Sequence, residues 1–256
     1  MKCNWTVIPD INDIDKFISL CGEYDAAFEY NDFFDPQVYE DEKETERRID
    51  FYMNLDRDRS KDTLHGVFYD IAALSNDSKI RAYSRDLMDK SMKTAERLGC
   101  KGVVFHTSLI TGLNSDSYVN GWISGMSAYI AELADKYPGL DIYMENTFER
   151  YPEVFLRFME KIGGRKNIKL CLDYSHATLI DNRPDEWFKA FLPYLGHMHL
   201  NDNDLKADLH LAAGDGKMDF FLFKELMEKN HVDVRVLLEV NGIDKAKRSL
   251  EYMASL

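Results

Sequence analysis

The sequence predicts a (β/α)8 barrel, a TIM barrel of eight parallel strands inside a ring of helices. Three observations predict it. Short apolar runs alternate eight times with longer segments of helical period. The helical segments end in residues that stop helices. No linker, composition break or low-complexity run divides the 256 residues. Barrels of that length commonly form one domain, so a single domain over residues 1–256 is expected.

The elements follow in order. The first strand is expected at Asn4–Pro9, with a helix from about Asn12 to Cys21. The second is Asp25–Tyr30, followed by an acidic, aromatic loop over Asp32–Glu46 that leads into a charged helix near Glu42–Asn54. Thr63–Val67 is the third, with a helix near Lys79–Leu98 closed by Gly99. Gly102–His106 is the fourth, with a helix near Asp116–Lys136. Leu140–Glu145 is the fifth; Pro152 suits the first turn of the helix Pro152–Ile162, and Gly163-Gly164 end it. Asn167–Asp173 is the sixth, and Pro184 opens the helix Pro184–Phe191. Gly196–Asn201 is the seventh, with a long loop and then the helix Phe220–Lys229 before Asn230. Val234–Val240 is the eighth, with a closing helix from about Asp244.

Composition narrows the function. Thirty-two basic residues against 45 acidic ones give a formal net charge of −13. Such a surface offers no general attraction to phosphate backbones or anionic lipid. No apolar run reaches the roughly 18 residues of a membrane span. The start, Met1 to Asp10, lacks the basic and apolar regions of a signal peptide, so a cytoplasmic protein is expected. Cys3, Cys21, Cys100 and Cys171 are scattered without CxxC spacing and read as free thiols rather than zinc ligands.

Barrel chemistry collects where strands end. The ends of strands two to eight carry Glu29, His65, His106, Glu145, Asp173, His199 and Glu239. Structural turns prefer Gly, Asn, Ser and Pro. Carboxylates and imidazoles gathered at one mouth repel or stay poorly solvated unless a cation holds them. The mixture suits Mn, Zn, Co or Fe better than Ca or Mg, so a divalent metal is expected. His176 and His210 join the strand-end histidines. His231, at a helix end, reads as exposed. His197 lies two residues before His199, on the same side of the strand and one layer deeper, and reads as a packed or supporting residue.

These residues carry a family resemblance that covers essentially the whole chain. His65-Gly66, Phe105-His106, Glu145-Asn146-Thr147, Asp173-Tyr174-Ser175-His176, His199-Leu200-Asn201-Asp202, Asp208-Leu209-His210 with Gly214-Asp215-Gly216, and Leu238-Glu239 stand in the order and strand positions of the xylose-isomerase-like barrels. The chain resembles that superfamily, which contains sugar isomerases and epimerases and also endonuclease IV. Its sugar-enzyme members imply one divalent metal on Glu145, Asp173, His199 and Glu239, with Glu145 and Glu239 as the catalytic acid/base pair and His176 contacting the sugar. The implied activity is isomerisation or epimerisation of a sugar, sugar phosphate or polyol by proton transfer through a metal-stabilised enediolate. The implied partner is a small carbohydrate, with no membrane or nucleic acid expected and homo-oligomerisation left open.

The endonuclease members imply another use. Their three-zinc cluster corresponds to His65, His106, Glu145, Asp173, His176, His199, Asp208, His210 and Glu239, which would hydrolyse a phosphodiester at abasic DNA. Against it stand Val67-Phe68 where those enzymes carry Pro-Tyr, Leu209 where they carry Arg, and the lack of a basic stripe. A sugar dehydratase or lyase on the same barrel is a further alternative. Leu205 replaces the Arg that ketohexose 3-epimerases carry six residues beyond the strand-seven His. Arg150 is a candidate for binding a substrate phosphate or carboxylate. Lys206 and Lys217, and the loop aromatics Phe33, Phe34 and Tyr39, are read either as substrate contacts or as surface and packing residues.

Overall fold

A computed structural model describes residues 3–256. Eight strands succeed one another in chain order around a closed parallel barrel. They are β1 (Asn4–Val7), β2 (Ala27–Tyr30), β3 (Thr63–His65), β4 (Gly102–His106), β5 (Asp141–Glu145), β6 (Ile168–Asp173), β7 (Leu195–Leu200) and β8 (Arg235–Leu238). The described residues pack as two compact units, one of residues 3–29, 146–152 and 171–256, the other of residues 30–145 and 153–170.

In the first unit β1 lies between β8 and β2, and β8 also pairs with β7. The registers set Thr6 beside both Ala27 and Leu237, and His199 also beside Leu237. Its helices are α1 (Ile14–Tyr24), α7 (Tyr174–Asp181), α8 (Pro184–Phe191), α9 (Phe220–Lys229) and α10 (Ile243–Ser255). Asp219 caps α9 through the Leu222 N–H, and α8 opens on Pro184 in its first turn. The apolar faces of α8 and α9 bury Trp187, Phe188, Phe191, Phe220 and Phe223.

In the second unit β4 lies between β3 and β5. It carries α2 (Pro36–Glu40), α3 (Glu42–Met53), α4 (Ser78–Leu98), α5 (Asp116–Lys136) and α6 (Glu153–Ile162). The long helix α4 starts where Asp77 accepts from the Lys79 and Ile80 N–H groups, and stops at Gly99, whose φ of 74° suits glycine. Its buried residues Leu87, Met88, Ser91, Met92, Ala95 and Leu98 recur at helical spacing, which turns one face inward.

Two short helices depart from the expected elements. Pro36 and the Asp35 cap turn part of the expected strand-two loop into α2. Phe33 and Tyr39 there are packed down, fully and nearly fully buried, and the Tyr39 hydroxyl donates to Thr94 Oγ1 at 3.2 Å. The second short helix, α7, begins immediately after β6. Asp173 ends the strand and caps the helix, accepting the His176 N–H at 2.7 Å. His176 therefore stands in a first helical turn instead of a loop. No described helix is long and apolar enough to cross a membrane. The four cysteines are free thiols, with Cys21, Cys100 and Cys171 buried.

Candidate functional site

Within the first unit, the β6 end is held by its neighbour in the 146–152 segment. Asn146 donates its Nδ2–H to the Asp173 carbonyl at 2.9 Å and accepts the Asp173 N–H at 2.8 Å. Asp173 and Asn146 are fully buried. The Asn146 carbonyl accepts from His176 Nδ1 at 3.1 Å. A carbonyl can only accept, so that nitrogen carries the proton. His176 Nε2 lies 3.2 Å from Asp208 Oδ2.

Asp208 joins two histidines, since His210 Nε2 lies 2.9 Å from the same oxygen. His210 Nδ1 donates to the Glu239 carbonyl at 2.8 Å. Both nitrogens of His210 face acceptors. Burial disfavours its charged form, but the hydrogen bond it donates to Asp208 and the Glu239 charge outweigh burial and push the imidazole up to about 9. Burial likewise opposes ionisation of Asp208, while His176 and His210 together hold it well below the ordinary carboxylate range.

The loop that carries Asp208 and His210 is tied down by Asp202. This carboxylate, 1% exposed, accepts the N–H groups of Asn203, Gly214, Gly216 and Met218 at 2.8–3.0 Å. The backbone of Asp202 pairs with Leu211 in both directions. A Cβ on Gly216 would sit 2.3 Å from Asp202 Oδ1, so only glycine permits this approach. The Gly-Asp-Gly motif is thus explained by backbone capture. Truncation of Asp202 to Ala leaves several buried N–H groups without an acceptor, each costing about 1–3 kcal/mol. We expect Asp202→Ala to destabilise the fold by about 3 kcal/mol or more, measured as a shift of the urea midpoint at constant m-value.

His199 is fully buried on β7. Its Nε2 lies 3.0 Å from Glu29 Oε1, and its Nδ1 lies 3.8 Å from Glu239 Oε2. The other Glu29 oxygen accepts from His197 Nε2 at 2.9 Å. Burial works against ionisation of Glu29, but the His199 and His197 partners outweigh it and hold the carboxyl well below its usual range. His197 is buried and packs against Glu29, one layer below His199. The pairing of Glu29 with both histidines was not visible in the sequence.

Within the second unit, three expected residues meet. His65 Nε2 lies 3.5 Å and His106 Nε2 3.3 Å from Glu145 Oε2. His65 Nδ1 donates to the Gly66 carbonyl at 3.0 Å, so that nitrogen carries a proton. Phe68 stacks on His106 at 4.6 Å, and Phe34 on Phe68 at 4.9 Å. Phe34 therefore joins an aromatic row beside the imidazoles. Phe148, in the first unit, is a second aromatic that sequence patterning did not single out. It is 53% exposed, with its ring 5.0 Å from His176. Arg150 is exposed, its guanidinium 5.6 Å from the Tyr151 ring. Lys206, Lys217 and His231 are also exposed.

Each unit contains a group able to hold a cation. The ligand atoms of His65, His106 and Glu145 lie within 4.8 Å of one another, as do those of Glu29, His197 and His199. Glu239 Oε2 is buried and accepts no hydrogen bond, although it faces an imidazole nitrogen. A buried carboxylate oxygen calls for compensation. Mixed imidazole and carboxylate donors at such spacing fit a first-row divalent cation, with bonds of about 2.0–2.2 Å.

Comparison with known proteins fixes the family. The model of the xylose isomerase-like TIM barrel matches residues 24–256. The chain belongs to the xylose isomerase-like TIM barrel family. Among its relatives, an uncharacterized protein of Methanocaldococcus jannaschii is 27% identical over 221 residues, 81% of this chain and 74% of that protein. The fold is similar to that of a D-tagatose 3-epimerase-like protein, with a TM-score of 0.78 and 22% identity, covering 98% of this chain and 96% of the other. It is also similar to D-allulose 3-epimerase from Methylomonas sp., with a TM-score of 0.73 and 17% identity over 99% and 98% of the two chains. At these identities the likeness to the solved structures is one of fold.

Proposed function

We propose that the chain is a metal-dependent isomerase or epimerase acting on a sugar, sugar phosphate or polyol. The observation that carries this is the buried Glu239 oxygen facing His199 Nδ1 at 3.8 Å, at the strand ends where the family gathers its chemistry. The epimerase character of the named structural neighbours supports the carbohydrate class.

In this proposal Glu145, Asp173, His199 and Glu239, from the ends of β5 to β8, hold one divalent cation, with Mn, Zn, Co or Fe suited to the donors. A cation there supplies polarisation of a carbonyl and its neighbouring hydroxyl, which acidifies the intervening C–H. Glu145 and Glu239 do the proton work. One carboxylate removes the proton, and the other returns one to the opposite face or to the next carbon. His176, its Nδ1–H fixed by Asn146, is proposed to contact a sugar hydroxyl through Nε2 in place of Asp208. Phe148 offers a ring face to the apolar side of the sugar and shields it from water. Arg150 is proposed to reach a phosphate or carboxylate at the far end of the substrate.

Metal-loaded protein is expected to interconvert at least one member of a panel of five- and six-carbon ketoses, their phosphates and keto-polyols, followed by NMR. Absence of turnover across the whole panel would count against the carbohydrate assignment.

One observation favours a second reading. His65 and His106 beside Glu145, together with His176, Asp208 and His210, are the additional ligands that a three-zinc phosphodiesterase would use. Chelator-sensitive cleavage of abasic-site DNA or of bis(p-nitrophenyl) phosphate would favour that reading.

A further inference from the structure

The interior of a barrel is ordinarily filled by bulky branched residues. At one level of the first unit this chain instead buries a carboxylate and two imidazoles, Glu29, His197 and His199, each at most 1% exposed. Exchanging a buried ionic group for apolar residues of similar size is often neutral or stabilising. Stability alone therefore gives no reason for Glu29.

The geometry gives one. His197 and His199 are two apart on β7, so both rings leave the strand on the same side and stand edge to face at 5.3 Å. Both direct Nε2 at the one carboxylate, His197 at Oε2 and His199 at Oε1. A lone pair held 3.0 Å from a carboxylate oxygen would be repelled, so the His199 Nε2 carries the proton. With the Nε2 proton held there, Nδ1 is the nitrogen left to bind a cation, and it faces Glu239. The hydrogen bond from His197 occupies the second oxygen and stops the carboxylate from rotating away.

We propose that Glu29 is a positioning residue that fixes the tautomer and ring orientation of His199, so that Nδ1 is the ligand atom, with His197 holding Glu29 in place. This rests on His199 being a metal ligand, as proposed above. Supporting carboxylates of this kind typically change metal affinity by about 10–100-fold when removed.

The test uses Co2+ alone on the full chain, with 15N NMR of the imidazoles in metal-free protein. In the wild type, His199 is expected as the Nε2–H tautomer, and Co2+ binds with d–d absorption. Glu29→Gln is expected to mix the His199 tautomers, alter the d–d spectrum and weaken Co2+ binding about 10–100-fold. His197→Gln, which frees one oxygen only, is expected to weaken it less. His199→Gln separates the two claims. If it abolishes Co2+ binding while Glu29→Gln binds within about twofold of the wild type with an unchanged spectrum, the positioning role is overturned and the metal ligand stands. If His199→Gln binds Co2+ as the wild type does, the ligand assignment and the inference fail together. Loss of a whole equivalent of Co2+ in Glu29→Gln, with the His199 tautomer unchanged, would make Glu29 a ligand and overturn the proposal. An Nδ1–H tautomer in the wild type overturns it even if the Glu29 variant does not fold.

Discussion

Replacing Glu145 by Gln is expected to lower turnover by at least about 10²-fold, and so is replacing Glu239, the usual scale for losing a positioned general acid or base. Gln keeps the size and one oxygen donor but removes the basic site. Circular dichroism should show both variants folded, and metal analysis should show them still loaded. The double variant should lose little more than the stronger single one, because both residues serve one reaction path. Full additivity of the two losses, in units of free energy, would mean that the carboxylates act independently. A small loss with full metal content would move the proton transfers to other groups, with His176 and His210 the first to test.

Removing the metal should have the second large effect. Protein stripped with a chelator is expected to lose activity and regain it on addition of Mn2+, Zn2+ or Co2+. A ligand present at about 1,000 times its dissociation constant stabilises by about 4 kcal/mol. For a chain of this size that corresponds to a fall in Tm of roughly 8–16 °C on stripping. Close to one ion per chain in the purified protein fits the isomerase site. Three zincs per chain would fill the His65–His106–Glu145 and His176–Asp208–His210 groups as well and would favour phosphodiester hydrolysis. The net charge of −13 and the Leu209 that interrupts Asp208 and His210 remain arguments against a long duplex as the substrate.

The fold was legible in the chain because strand and helix periods differ and the punctuation is strong. The expected β4, α5, α8 and α9 coincide with the observed Gly102–His106, Asp116–Lys136, Pro184–Phe191 and Phe220–Lys229. The expected β8 ran two residues beyond the observed end at Leu238, since Glu239 still donates its N–H to Leu200 after the strand has ended. Helix α7 was hidden because its cap, Asp173, is also a strand end and a candidate ligand, and one residue with three roles gives a single signal.

Of the candidate site, residue types at strand ends were legible, and their hydrogen-bond partners were not. Nothing local in Phe28-Glu29-Tyr30 announces a bond to His197, 168 residues away. Asn146 read as part of a motif, while its grip on the Asp173 peptide depends on a second strand end. Phe148 reads as an ordinary loop aromatic, and only the fold sets it against His176, as it sets Phe68 against His106. The Gly-Asp-Gly motif, suggestive of a ligand loop, is accounted for by the four N–H groups that Asp202 accepts.

In the proposed reaction a proton passes by way of two glutamates. Its most direct test is isotopic. Metal-loaded protein is incubated in D2O with the ketose or ketose phosphate that it turns over, and product and residual substrate are examined by 1H NMR and mass spectrometry. Deuterium is expected at the carbon next to the carbonyl, because a proton held by Glu145 or Glu239 exchanges with solvent before it is returned. Product formed at the normal rate and free of deuterium would rule out proton transfer through the glutamates and point to a hydride shift.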